Sequence, residues 1–171
     1  MKKILMLTLI AGLFTGLTAS AQQDKSKRPS PPAKVSETIA SGATITIDYS
    51  QPSVKGRLIG KEIAPFGEVW RTGANEATIF ETTKDVMVEG RALPAGKYSL
   101  YTVPGIDKWT IIFNKTWKQW GTVYKKDEDV LRVDVKPAKA PSATEKMTFN
   151  IAKDGKVSLL WGNTQVDFQV K

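Results

Sequence analysis

The 171-residue chain contains neither cysteine nor histidine. Ser-His-Asp and Cys-His nucleophilic catalysis therefore lack their base or their thiolate. Zinc sites built on imidazole or thiolate, thiol redox chemistry, and the usual ligands of haem, iron–sulfur and blue-copper centres are excluded with them. No glycine-rich phosphate loop leads into a helix. No window carries a convincing 3.6-residue apolar period; Thr116–Tyr124 reads as a short helical turn or equally as a loop. Asp127-Glu128-Asp129 lacks the alternating ligand spacing and the glycine of a calcium loop. No metal site and no cofactor are expected. With no disulfide available, an apolar core must hold the fold.

The ends of the chain differ from its middle. Lys2 and Lys3 precede an apolar run from Ile4 to Leu17, and Ala19-Ser20-Ala21 supplies small residues for cleavage. This is the pattern of a secretory signal peptide over residues 1–21, with a run too short to span a bilayer. No transmembrane segment is expected after cleavage, and the protein is expected in the periplasm or outside the cell. Residues 22–34 are polar with clustered prolines and read as a disordered linker, and the domain is expected to fold without residues 22–32. Of the formal +8 charge, +2 is Lys2 and Lys3 and +3 is the balance of residues 22–34, which leaves +3 for the rest. An exported domain of so little charge is not expected to bind nucleic acid.

From residue 35 onward the apolar period is two. Ile45, Ile47 and Tyr49 alternate with polar neighbours, as do Trp109, Ile111 and Phe113, and Leu131, Val133 and Val135. Val86 and Val88 flank Met87. Met147, Phe149 and Ile151, then Val157, Leu159 and Trp161, then Val166, Phe168 and Val170 continue the pattern. Half-buried antiparallel strands produce it, because successive side chains point to opposite faces. Asp154-Gly155 and Gly162-Asn163 read as hairpin turns. Lys136–Ser142, with two prolines and no period, reads as a loop. The expectation is a single all-β domain over 35–171, an antiparallel β-sandwich, jelly-roll-like, of nine or ten short strands.

With imidazole and thiol absent, carboxylate, guanidinium, amide and aromatic chemistry remain. The stretch Trp70-Arg71-Thr72-Gly73-Ala74-Asn75-Glu76 concentrates it. Trp70 reads as half exposed at a loop entry, while Trp109 and Trp161 fall on core phases. Trp117 and Trp120 lie outside any strand phase, where flat rings stack on sugars or cations, or cap one end of the sandwich. Arg57 and Arg71 are planar forks suited to carboxylates, and Arg71 is expected to pair with Glu76 or Asp48. The candidate ligand-binding set is Asp48, Tyr49, Arg57, Trp70, Arg71, Asn75, Glu76, Trp117 and Trp120; no catalytic residue is assigned. Asp48, Glu62, Glu68 and Glu76 are the carboxylates from which a glycosidase-like pair could be drawn.

Three segments carry a resemblance: Tyr49-Ser50-Gln51-Pro52-Ser53-Val54-Lys55-Gly56-Arg57, Val69 to Thr78 around Trp-Arg-Thr-Gly-Ala-Asn-Glu, and Leu93-Pro94-Ala95-Gly96-Lys97-Tyr98-Ser99-Leu100-Tyr101. Together they resemble domain-of-unknown-function family 2911, a group of exported bacterial proteins, from about Ser36 to Lys171. The resemblance implies a secreted all-β domain and brings no activity to transfer. The leading expectation is a non-catalytic binding module for a sugar, a peptide or a small anion. The alternatives are a carboxylate-dependent hydrolase and a structural or interaction protein of the cell envelope.

Overall fold

A computed structural model describes residues 24–171; the signal-peptide reading of residues 1–21 lies outside them. The strands are β1 (Pro32–Thr38), β2 (Thr44–Ser50), β3 (Thr78–Thr82), β4 (Val86–Val88), β5 (Arg91–Leu93), β6 (Gly96–Val103), β7 (Trp109–Asn114), β8 (Asp129–Val135), β9 (Pro137–Ile151) and β10 (Lys156–Gln169). A six-stranded antiparallel sheet has the order β1-β2-β3-β6-β7-β8, and β9–β10 and β4–β5 form hairpins. One apolar core joins them. Ile45, Ile47, Phe80, Leu100, Ile111 and Phe113 come from the large sheet, and Met147, Phe149, Leu159, Trp161 and Phe168 from the β9–β10 layer. The fold is thus the expected antiparallel all-β class. Within it, the large sheet is a meander into which the β4–β5 hairpin is inserted.

The period-two reading describes β2 well, where Ile45, Ile47 and Tyr49 are all buried. It understates β6 and β7, whose second faces are covered too. Ser99, Tyr101, Ile112 and Asn114 point away from the Ile111–Phe113 phase and are nevertheless buried. The segment 115–125 closes over them as an irregular loop. Ser99 Oγ donates to Thr116 O, Tyr101 Oη to Val123 O, and Asn114 Nδ2 to Lys125 O. Covering Ile112 in this way is worth about 1.5–3 kcal/mol.

Three boundaries depart from the sequence reading. Lys136–Ser142 is not a loop: β9 begins at Pro137 and runs through Pro141. Proline is tolerated there because the β9–β10 register slips between Thr144 and Lys139, and a bulge removes the need for a ladder N–H. Gly162-Asn163 lies opposite that bulge and is not a hairpin; Gly162, at φ +56, lies within β10. The Asp154-Gly155 turn does join β9 to β10, with Gly155 at φ +87. Finally, the expected linker over 22–34 ends early. β1 starts at Pro32 and pairs with β2, Lys34 opposite Asp48. No helix among the described residues is long and apolar enough to cross a membrane.

Candidate ligand-binding site

The stretch after Val69 leaves the sheet and returns to it at β3. Its two ends are tied to different neighbours. Trp70 forms an antiparallel bridge with Thr102 at the end of β6, with N···O distances of 2.7 and 2.9 Å. At the other end, Gly121 N donates to Asn75 O and Ala77 N to Gln119 O. Thr78 Oγ1 reaches back to Thr72 O at 2.8 Å.

Between these ties the backbone is strained. Thr72 sits at φ +50 and Asn75 at φ +61. Thr72 is fully buried, and its hydroxyl lies within hydrogen-bond distance of Trp70 O, to which it donates, and of the Thr102 hydroxyl. A β-branched residue at positive φ is an outlier, and such a conformation costs about 1–3 kcal/mol unless its surroundings hold it. Here the buried hydroxyl bonds do so.

The loop forms one wall of a cleft of about 210 Å³ whose lining includes Arg57, Trp70, Arg71, Gly73, Ala74 and Trp161, together with Ser30 and Pro52. Trp70 stacks on Trp161, ring centroids 5.0 Å apart and nearly parallel, and meets Trp109 edge-on. Arg57 is anchored by its Nε to Val54 O at 3.1 Å and its Nη2 to Ser53 O at 2.8 Å. Arg71 Nε donates to Gly73 O at 3.3 Å. Among the described residues neither guanidinium has a carboxylate within ion-pair distance. The expected pair from Arg71 to Glu76 or Asp48 is therefore corrected. The stem of Arg71 packs against Gly121 instead, and both acids are engaged elsewhere.

Those acids lie in a neighbouring cleft lined by Lys25, Arg28, Asp48, Tyr49 and Glu76. Glu76 receives Lys25 Nζ at 3.0 Å and Arg28 Nη1 at 2.8 Å. Partial burial alone would raise its pKa. Hydrogen bonds from its own backbone, Lys25 and Arg28, and the charge of Lys25, outweigh that and hold it at about 2. Asp48 pairs with Lys34 at 3.2 Å. Tyr49 is structural: its Oη accepts the buried Phe149 N–H across the core. Asn75 Nδ2 donates to Ser30 O.

The structure thus brings Arg57, Trp70 and Arg71 together, gathers Asp48, Tyr49 and Glu76 beside them, and leaves the loop tryptophans apart. Trp117 lies under Lys97 Nζ, 5.2 Å from its ring centroid, and Trp120 is half exposed on the strand-like bridge to Glu76. Neither lines the two clefts just described. Glu62 caps the Leu58 N–H and Glu68 is exposed, so neither joins a carboxylate pair there. Among the described residues, no group of three or more acidic side chains is placed to hold a metal ion. The sequence reading missed Trp161 as a site residue. Its core phase is right, at 3% exposure, but its indole Nε1 is buried without a hydrogen-bond partner among the described residues. Lys25 and Arg28, assigned to the linker, were missed for lack of any pattern that ties them to Glu76.

No curated protein and no solved structure matches this chain. A family model described as "Protein of unknown function (DUF2911)" matches residues 30–170, most of the described chain and all ten strands. By that match the chain belongs to the DUF2911 family.

Proposed function

We propose that this protein is a non-catalytic binding module whose ligand enters the cleft between Arg57, Trp70, Arg71 and Trp161. One observation carries the reading: two arginines line a single cleft with no carboxylate to neutralise either among the described residues. Internal pairing is the common fate of such groups, and its absence leaves charged donors free for a ligand. The strained Thr72 beside them supports it, because strain of this kind clusters at binding sites. Of the sugar, peptide and small-anion classes, the two positive charges favour an anionic ligand.

A hydrolytic reading has less support. A glycosidase-like acid needs a raised pKa, whereas Glu76 is held at about 2 and Asp48 is paired with Lys34. We further infer export, which the Lys2-Lys3 start, the apolar run and Ala19-Ser20-Ala21 support; N-terminal sequencing of the natively produced protein should then begin at Gln22.

Calorimetric titration of the wild-type protein and of Arg71→Ala with a panel of neutral sugars, short peptides and small anions tests the binding reading. Saturable binding at millimolar concentration or tighter, lost in Arg71→Ala with the melting temperature retained, is expected. No binding by any probe, or binding indifferent to the substitution, overturns it.

A further inference from the structure

We propose that the ligand of this cleft is a small organic carboxylate, held by Arg71 and Arg57 together with the backbone N–H groups of Gly73 and Ala74. The inference rests on the binding-module reading and names the chemistry of its ligand.

The first support is the loop's backbone. Thr72, Gly73 and Ala74 are buried, and the segment 72–75 is a run of bends without turn hydrogen bonds. No amide from Arg71 to Asn75 donates to an acceptor among the described residues. Buried backbone N–H groups are almost always paired, with ordered water or a ligand where the fold offers no acceptor, so these amides are open to a ligand's acceptor. The φ angles sharpen the point. Thr72 and Asn75 are at positive φ while Arg71, Gly73 and Ala74 are not. A residue at positive φ directly after one that is not, as at Arg71–Thr72 and Ala74–Asn75, is the dihedral order of a nest, a known form of anion site.

The second support is the character of the unpaired groups. The free N–H groups of Arg57 and Arg71, the loop amides and the buried Trp161 Nε1–H are all donors. Among the described residues, no aspartate or glutamate lines the cleft. A sugar hydroxyl needs an acceptor as well as a donor, but an ionised carboxylate accepts only. Donors outnumber acceptors there, the Ser30 hydroxyl being the one side-chain acceptor in the lining among the described residues, and that excess favours the carboxylate. Its two coplanar oxygens match the guanidinium fork.

The third support is the remaining wall. Pro52, Ile63, Ala64 and Trp70 are apolar. They would cover the carbon skeleton of an organic acid and would offer nothing to the hydration shell of inorganic phosphate. The volume of about 210 Å³ suits a head group of a few heavy atoms.

The same chemistry reaches a cleft either as a free acid or as the C-terminus of a peptide. The test is therefore a parallel titration with acetate, succinate, tri-alanine, C-terminally amidated tri-alanine, inorganic phosphate and maltose, followed by amide and indole proton–nitrogen spectra. Saturable binding of succinate or of tri-alanine is expected. It should move the Gly73 and Ala74 amides and the Trp161 indole N–H, and Arg71→Lys should weaken it at least about tenfold by removing the fork while keeping the charge. If tri-alanine binds and its amidated form does not, the carboxylate comes from a peptide; if succinate binds the tighter, it comes from a free acid. Binding of maltose or phosphate with no response to the carboxylates overturns this inference and leaves the binding module standing. Silence toward every probe overturns the binding module itself. Carboxylate binding that leaves the loop amides and the indole unmoved overturns the proposed seat.

Discussion

Arg28 Nη1 lies 2.8 Å from Glu76 Oε2, which ties the segment before the first strand to the loop that lines the candidate site. Lys25 reaches the other carboxylate oxygen, and Ser30 O accepts from Asn75. Residues that composition assigns to a linker therefore form a strap along the loop.

The strap should be acid-labile. Glu76 has a pKa of about 2 in the fold against an ordinary value of 4.5. A lowered acid pKa contributes stability that is present above the ordinary value and lost as pH falls through the folded one. The melting temperature of wild type should exceed that of Glu76→Gln at pH 6, and the difference should vanish between about pH 4.5 and pH 2. The pairs are largely solvent-exposed and worth at most about 1 kcal/mol each, so the difference at pH 6 should be a few degrees. An equal difference at both ends of that range would show that the Glu76 charge is not what holds the strap.

Tyr49 Oη accepts the Phe149 N–H at 3.0 Å, and the two rings pack edge-to-face. The bond joins the large sheet to β9 across the core. Tyr49→Phe keeps the ring and leaves a buried amide unsatisfied, so it should cost about 1–3 kcal/mol in denaturant unfolding. A change below about 0.5 kcal/mol would mean that the amide finds another acceptor.

Gly121 supports Arg71 from below. A Cβ there would stand 2.6 Å from Arg71 Cδ and 2.9 Å from Asn75 O. One of the two contacts is backbone, so the loop must shift. Gly121→Ala should destabilise by about 1–3 kcal/mol, the range for overpacking. It should also weaken the binding seen with wild type, because Arg71 is displaced with its charge intact. Full binding in a destabilised Gly121→Ala would separate the guanidinium from the ligand.

The sequence by itself determined the class of fold, the apolar phases of the strands and the excluded chemistries. These follow from period and composition, which act locally: the side chains of Ile45, Ile47 and Tyr49 alternate whatever they pack against. It also singled out the Trp70–Glu76 stretch, because a Trp-Arg pair beside a glycine is unusual within an alternating pattern. The partners of its charges were not legible there. Glu76 is five residues from Arg71 and 48 from Arg28, yet the closed chain chooses Arg28. The positive φ of Thr72, held by hydroxyl contacts with Trp70 O and with Thr102 thirty residues away, goes with an Arg71 that leans on Gly121 and lines the same cleft as Arg57. The same non-local closure buries the second face of β7 under the segment 115–125 and leaves the Trp161 indole without an acceptor. Pairings over such separations depend on which surfaces meet when the two layers pack, and no local period encodes that.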